Sequence, residues 1–99
     1  MDRPLFIGDE TTAAGYRLAG LEVRSPSPEA AAAELDRARD RWPPLILITA
    51  EYAAHLQPAE LERFLSRAEP PLQVVTDAAG RVPVPDLAAR IRARVGVES

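Results

Sequence analysis

Apolar and polar positions along the chain switch between a strand-like and a helix-like period, and the order this predicts is β-α-β-α-β-α-β-α. Leu5-Phe6-Ile7 is a short apolar run closed by Gly8 and reads as the first strand. Thr11 to Ala19 reads as a short helix, with Gly20 just beyond it, where a left-handed residue is wanted. Leu21-Glu22-Val23 alternates as a short edge strand does. Ser25-Pro26-Ser27-Pro28-Glu29 opens a second helix. Ser27 can accept from the orphan amides there, and Pro28 suits the first helical position, where no N–H is needed. That helix runs to about Arg41, with Ala31, Leu35, Ala38 and Trp42 as one apolar stripe, and Pro43-Pro44 stops it. Leu45-Ile46-Leu47-Ile48 is continuously apolar, the pattern of a strand buried on both faces of a parallel sheet. Glu51 to Ala68 is helical but carries Pro58, which predicts two pieces, Glu51–Leu56 and Pro58–Ala68, with Leu61, Phe64, Leu65 and Ala68 facing inward. Pro70-Pro71 ends the second piece, and Leu72 to Thr76 is the fourth strand.

After Asp77 come a turn and a stiff connector, Arg81-Val82-Pro83-Val84-Pro85. Asp86 can cap a last helix from Leu87 to about Val95, where Leu87, Ile91 and Val95 lie one turn apart and Arg90, Arg92 and Arg94 crowd the same helix. Two placements are open for it. It packs on the sheet as the final crossover helix, or it lies along a partner helix with the apolar stripe as anchor and the arginines facing acidic groups. The expected fold is α/β: a single-domain, four-stranded parallel sheet, flavodoxin-like or receiver-like, of order 2-1-3-4 with helices on both faces. Residues 1–80 would be the sheet domain, and 81–99 the connector and C-terminal amphipathic helix.

Composition narrows the chemistry. A chain of 99 residues makes one domain. It has no cysteine, which excludes disulfides, thiolate zinc sites and thiol catalysis, and its single histidine, His55, has no nucleophile in an elbow motif beside it. No apolar run reaches the roughly 18 residues of a membrane span. MDRPLFIGDE lacks a signal-peptide pattern, so a cytoplasmic protein without membrane insertion is expected. The net charge of −3, with both signs interspersed, argues against a nucleic-acid partner. All 12 basic residues are arginine, so a catalytic ammonium is impossible.

Ligands of such folds sit at the carboxyl ends of the strands, and four carboxylates fall there: Asp9, Glu10, Glu51 and Asp77. Clustered carboxylates can hold Mg²⁺, as receiver domains do. Strand three, however, ends in Thr49-Ala50 where a receiver needs its phospho-accepting Asp, and the receiver's lysine is missing. Capping of helix N-termini is the simpler role for these groups. Gly8, Gly15 and Gly20 match neither a dinucleotide fingerprint nor a Walker loop, and Gly15 reads as a point of close helix approach. Trp42, ending an apolar stripe, reads as core or cap. No catalytic residue, cofactor or metal is expected.

The run IGDETTAAGYRLAGLEV, Ile7 to Val23, resembles the opening of the F subunit of the V-type and archaeal-type (A-type) rotary ATPases. That family has a strand ending in Gly-Asp or Ala-Asp, as at Gly8-Asp9, then Gly-aromatic-Arg-Leu-Ala-Gly, as at Gly15-Tyr16-Arg17-Leu18-Ala19-Gly20. Leu45 to Glu51, Pro71 and Arg94-Val95-Gly96-Val97 are similar to later family features. The resemblance implies a non-catalytic part of the central rotor shaft, held by the coiled coil of the D subunit, near the catalytic A/B ring and the membrane-side rotor subunit. It makes Tyr16, Arg17, Leu87, Arg90, Ile91, Arg94 and Val95 candidate partner contacts. The alternative from another class is a receiver-like or small-ligand-binding regulatory domain using Asp9, Glu10 and Asp77.

Overall fold

The computed structural model describes residues 3–66 and 70–78. Its four strands are β1 (Leu5–Ile7), β2 (Glu22–Arg24), β3 (Ile46–Thr49) and β4 (Leu72–Val75), all parallel, in the order β2-β1-β3-β4. The helices are α1 (Glu10–Leu18), α2 (Ala31–Asp40), α3 (Ala50–Ala53) and α4 (Pro58–Ser66). The 2-1-3-4 order follows the sequence expectation, and β2 is an edge strand as its alternation predicts. The connector, the last helix and Ala68 lie outside the described residues.

The strands sort their side chains by alternation. Leu5 and Ile7 of β1 and Ile46 and Ile48 of β3 point to one face, where they meet Ala31, Leu35 and Ala38 of α2, Tyr52 of α3 and Leu61 and Phe64 of α4 in one core. Phe6 points the other way and stacks on Tyr16 of α1, ring centroids 4.5 Å apart and planes 18° from parallel. Helices therefore cover both faces, as a parallel sheet requires.

Element ends explain several departures from the expected boundaries. Asp9 caps α1, and Gly20 follows it at φ +98°, the left-handed position foreseen for it. Ser27 makes no side-chain capping bond; the chain first winds a short 3₁₀ turn, Pro28–Ala30, before α2 begins. The apolar stripe Ala31, Leu35, Ala38 is buried, but Trp42 is 63% exposed. The physical reason is that α2 stops at Asp40, and Trp42 adopts φ 53°, which takes it out of helical phase. A left-handed non-glycine residue costs ~1–2 kcal/mol. In α4, Leu61 and Phe64 face inward as expected, whereas Leu65 is 39% exposed because it falls to the flank of the stripe.

Candidate functional site

Strand ends bring the sequence's candidate carboxylates to one place. Asp9 follows β1, Glu51 sits in the first turn of α3 after β3, and Asp77 follows β4. Each offers one carboxylate oxygen, and the three oxygens lie within 4.8 Å of one another. Glu10 does not join them: it faces Arg17 on the surface of α1, at 3.4 Å. Such a trio is close enough to share a divalent cation. It also has work inside the fold. Asp9 accepts from the Thr12 N–H at 3.0 Å and from the Thr12 hydroxyl at 2.7 Å, and that same hydroxyl accepts from the Ala78 N–H at 2.8 Å. One short chain of bonds thus caps α1 and ties it to the segment leaving β4. Thr49, at the position of a receiver's phospho-acceptor, is fully buried and its hydroxyl caps α3 by accepting from the Tyr52 N–H at 3.3 Å. His55 is exposed, with no part in this cluster.

The motif Gly8 to Gly20 can be accounted for residue by residue. A Cβ on Gly8 would lie 2.6 Å from Phe6 Cζ and 2.6 Å from Thr49 Cγ2, so glycine is needed for the Phe6–Tyr16 stack to close. Asp9 is the cap, Tyr16 is half-buried against Phe6, and Arg17 lies in the last turn, where a cation answers the helix dipole. Gly15 and Leu18 of the motif have no such role. Gly15 has nothing within 4 Å of where a Cβ would stand, so the close approach expected there is not made by any neighbour among the described residues. Leu18 is 90% exposed, on the helix face turned away from the sheet.

A second charged constellation was not legible in the sequence. Arg3, Arg24 and Arg41 all reach the carboxylate of Glu22, Arg3 at 3.6 Å and Arg41 at 3.1 Å, and Glu34 receives Arg24 at 3.8 Å and Arg37 at 2.9 Å. Partial burial pushes the Glu22 carboxyl up, but the Arg24 hydrogen bond and the charges of Arg24 and Arg41 outweigh it, and its pKa falls below the ordinary 4.5. Arg41 and Glu22 are 19 residues apart, and only the sheet order and the lie of α2 make them neighbours.

The family model of the ATP synthase (F/14-kDa) subunit matches residues 5–95. The chain belongs to that family. No curated protein is a match to it. Membership agrees with the resemblance carried by Gly8-Asp9 and Gly15 to Gly20. Most of the stretch that carries the resemblance builds the β1–α1 unit, and Gly15 and Leu18 lie open on the surface. Among the described residues of this family member, no helix is long and apolar enough to cross a membrane.

Proposed function

We propose that this chain is the central-stalk F subunit of a V/A-type rotary ATPase, a non-catalytic shaft component that binds the coiled coil of the D subunit and helps couple ATP turnover to rotation. The family match over residues 5–95 is the observation that carries this reading. In it the protein is cytoplasmic and peripheral to the membrane, close to the A/B catalytic ring and the membrane-side rotor subunit. The outward face of α1, with Gly15, Arg17 and Leu18 exposed, supplies one contact, and Tyr16 sets the pitch of that helix through its stack on Phe6. The C-terminal segment 81–99 supplies the other, with Leu87, Ile91 and Val95 as apolar anchors and Arg90 and Arg94 facing carboxylates.

Co-purification with the coiled-coil shaft protein of the same source, sized by light scattering, tests the reading. A one-to-one complex is expected. Removing residues 86–99 should leave the sheet domain folded and weaken that complex; a truncated chain that unfolds would make the last segment part of the core instead. The ligand-binding alternative makes a different demand on Asp9, Glu51 and Asp77. It requires that Mg²⁺ raise thermal stability in the wild type and fail to do so in Asp9→Asn.

A further inference from the structure

We propose that the Thr12 hydroxyl is a clasp that aligns the two shaft contacts of the proposed function, the outer face of α1 and segment 81–99, so that they meet the partner as one surface; the inference rests on that reading. A single side chain builds the clasp. Thr12 is buried in the first turn of α1. Its backbone N–H donates to Asp9 at 3.0 Å, which caps the helix without help from the side chain. The hydroxyl is therefore surplus to that backbone bond, and its chemistry decides how it is used. It has one proton and two lone pairs. The proton goes to the other carboxylate oxygen of Asp9, at 2.7 Å. What remains is acceptor capacity, and a hydroxyl that donates to a carboxylate is polarised into a better acceptor. The Ala78 N–H fills it at 2.8 Å.

Topology gives that bond its reach. Residues 12 and 78 are 66 apart in the chain. Helix α1 follows β1 and Ala78 follows β4, and β3 lies between those two strands in the sheet. The bond thus crosses the end of β3 and fixes the exit of β4 against the first turn of α1. Asp77, beside it, is buried, so this exit turn is packed into the fold. Further along, α1 is held to the sheet by the stack of Tyr16 on Phe6. Held near both ends, the helix presents Gly15 and Leu18 outward in a set position. Ala78 stands three residues before Arg81 and gives segment 81–99 a starting point in the same frame. Two contacts aligned in advance need less ordering when a partner binds, and engaging one raises the effective concentration of the other.

The test uses the full chain and two substitutions. Thr12→Val keeps the capping N–H and the side-chain shape but removes the hydroxyl, and Thr12→Ser keeps the hydroxyl. Amide hydrogen exchange is read residue by residue in the free chain. Thr12→Val is expected to speed exchange at Ala78 by about fivefold, as loss of one hydrogen bond does, while the amides of Tyr16, Arg17 and Leu18 keep their wild-type protection. Calorimetric titration with the coiled-coil shaft protein should then show Thr12→Val binding about threefold or more weakly, and Thr12→Ser binding as the wild type does. Unchanged exchange at Ala78 would overturn the clasp. So would faster exchange there with undiminished Thr12→Val binding, or loss of protection throughout α1, which would make the hydroxyl a support of the helix alone. Each of these leaves the proposed function intact. Absence of any wild-type complex would overturn both.

Discussion

At the scale of single residues, the sharpest constraint is Gly8. The space for its Cβ is already taken by the Phe6 ring and the Thr49 methyl, both fully buried. Gly8→Ala should lower stability by about 1–3 kcal/mol, the range for overpacking a close-fitted core, as read from denaturant unfolding. Glu22 makes a prediction of a different kind. Its folded pKa lies below the ordinary 4.5, so the group contributes stability above that pH and loses it as pH falls through 4.5 and then through the lower folded value. Glu22→Gln should therefore lower the melting temperature at pH 7, and the gap from wild type should close as the solution is acidified below about pH 4.5. Gaps that stay constant with pH would mean that Glu22 acts through packing and not through its charge.

Elements show which parts of this fold a single sequence can reveal. The strands β1 and β3 were legible as apolar runs and β4 as a mostly apolar one, each next to a proline, and the 2-1-3-4 order followed from few allowed crossovers. Trp42 was misplaced because the helical period carried it into the α2 stripe, while the backbone left the helix two residues earlier. Leu65 failed for a gentler reason: adjacent apolar residues cannot both occupy the centre of one helical face. Of the carboxylates, the topology delivered Asp9, Glu51 and Asp77 to one strand-end cluster, but Glu10 points along α1 to Arg17, a choice set by helix phase. The arginine cluster escaped altogether, since its members come from the chain start, β2 and α2. Within α1, Gly15 carries the testable consequence. It sits mid-helix in open space, so Gly15→Ala should stabilise the isolated chain by about 0.5–1 kcal/mol. If the same change weakens the complex with the coiled-coil shaft protein, the glycine serves a neighbour in the assembly.

Across the whole molecule, the strand ends and the sheet edge divide the labour. The carboxyl ends hold the bonded Asp9–Thr12–Ala78 chain, which fastens the segment leaving β4 to α1. The β2 edge is kept from pairing with other sheets: the strand has three residues, and Arg24 donates to the Val23 carbonyl at 3.1 Å, occupying an acceptor that another strand could use. One practical consequence lies in the light this chain emits. Its only indole already faces water in the native state, so denaturant should barely shift its fluorescence, and far-ultraviolet circular dichroism should report unfolding while the emission maximum stays nearly still. The tryptophan is then nearly silent on whether the chain itself is folded.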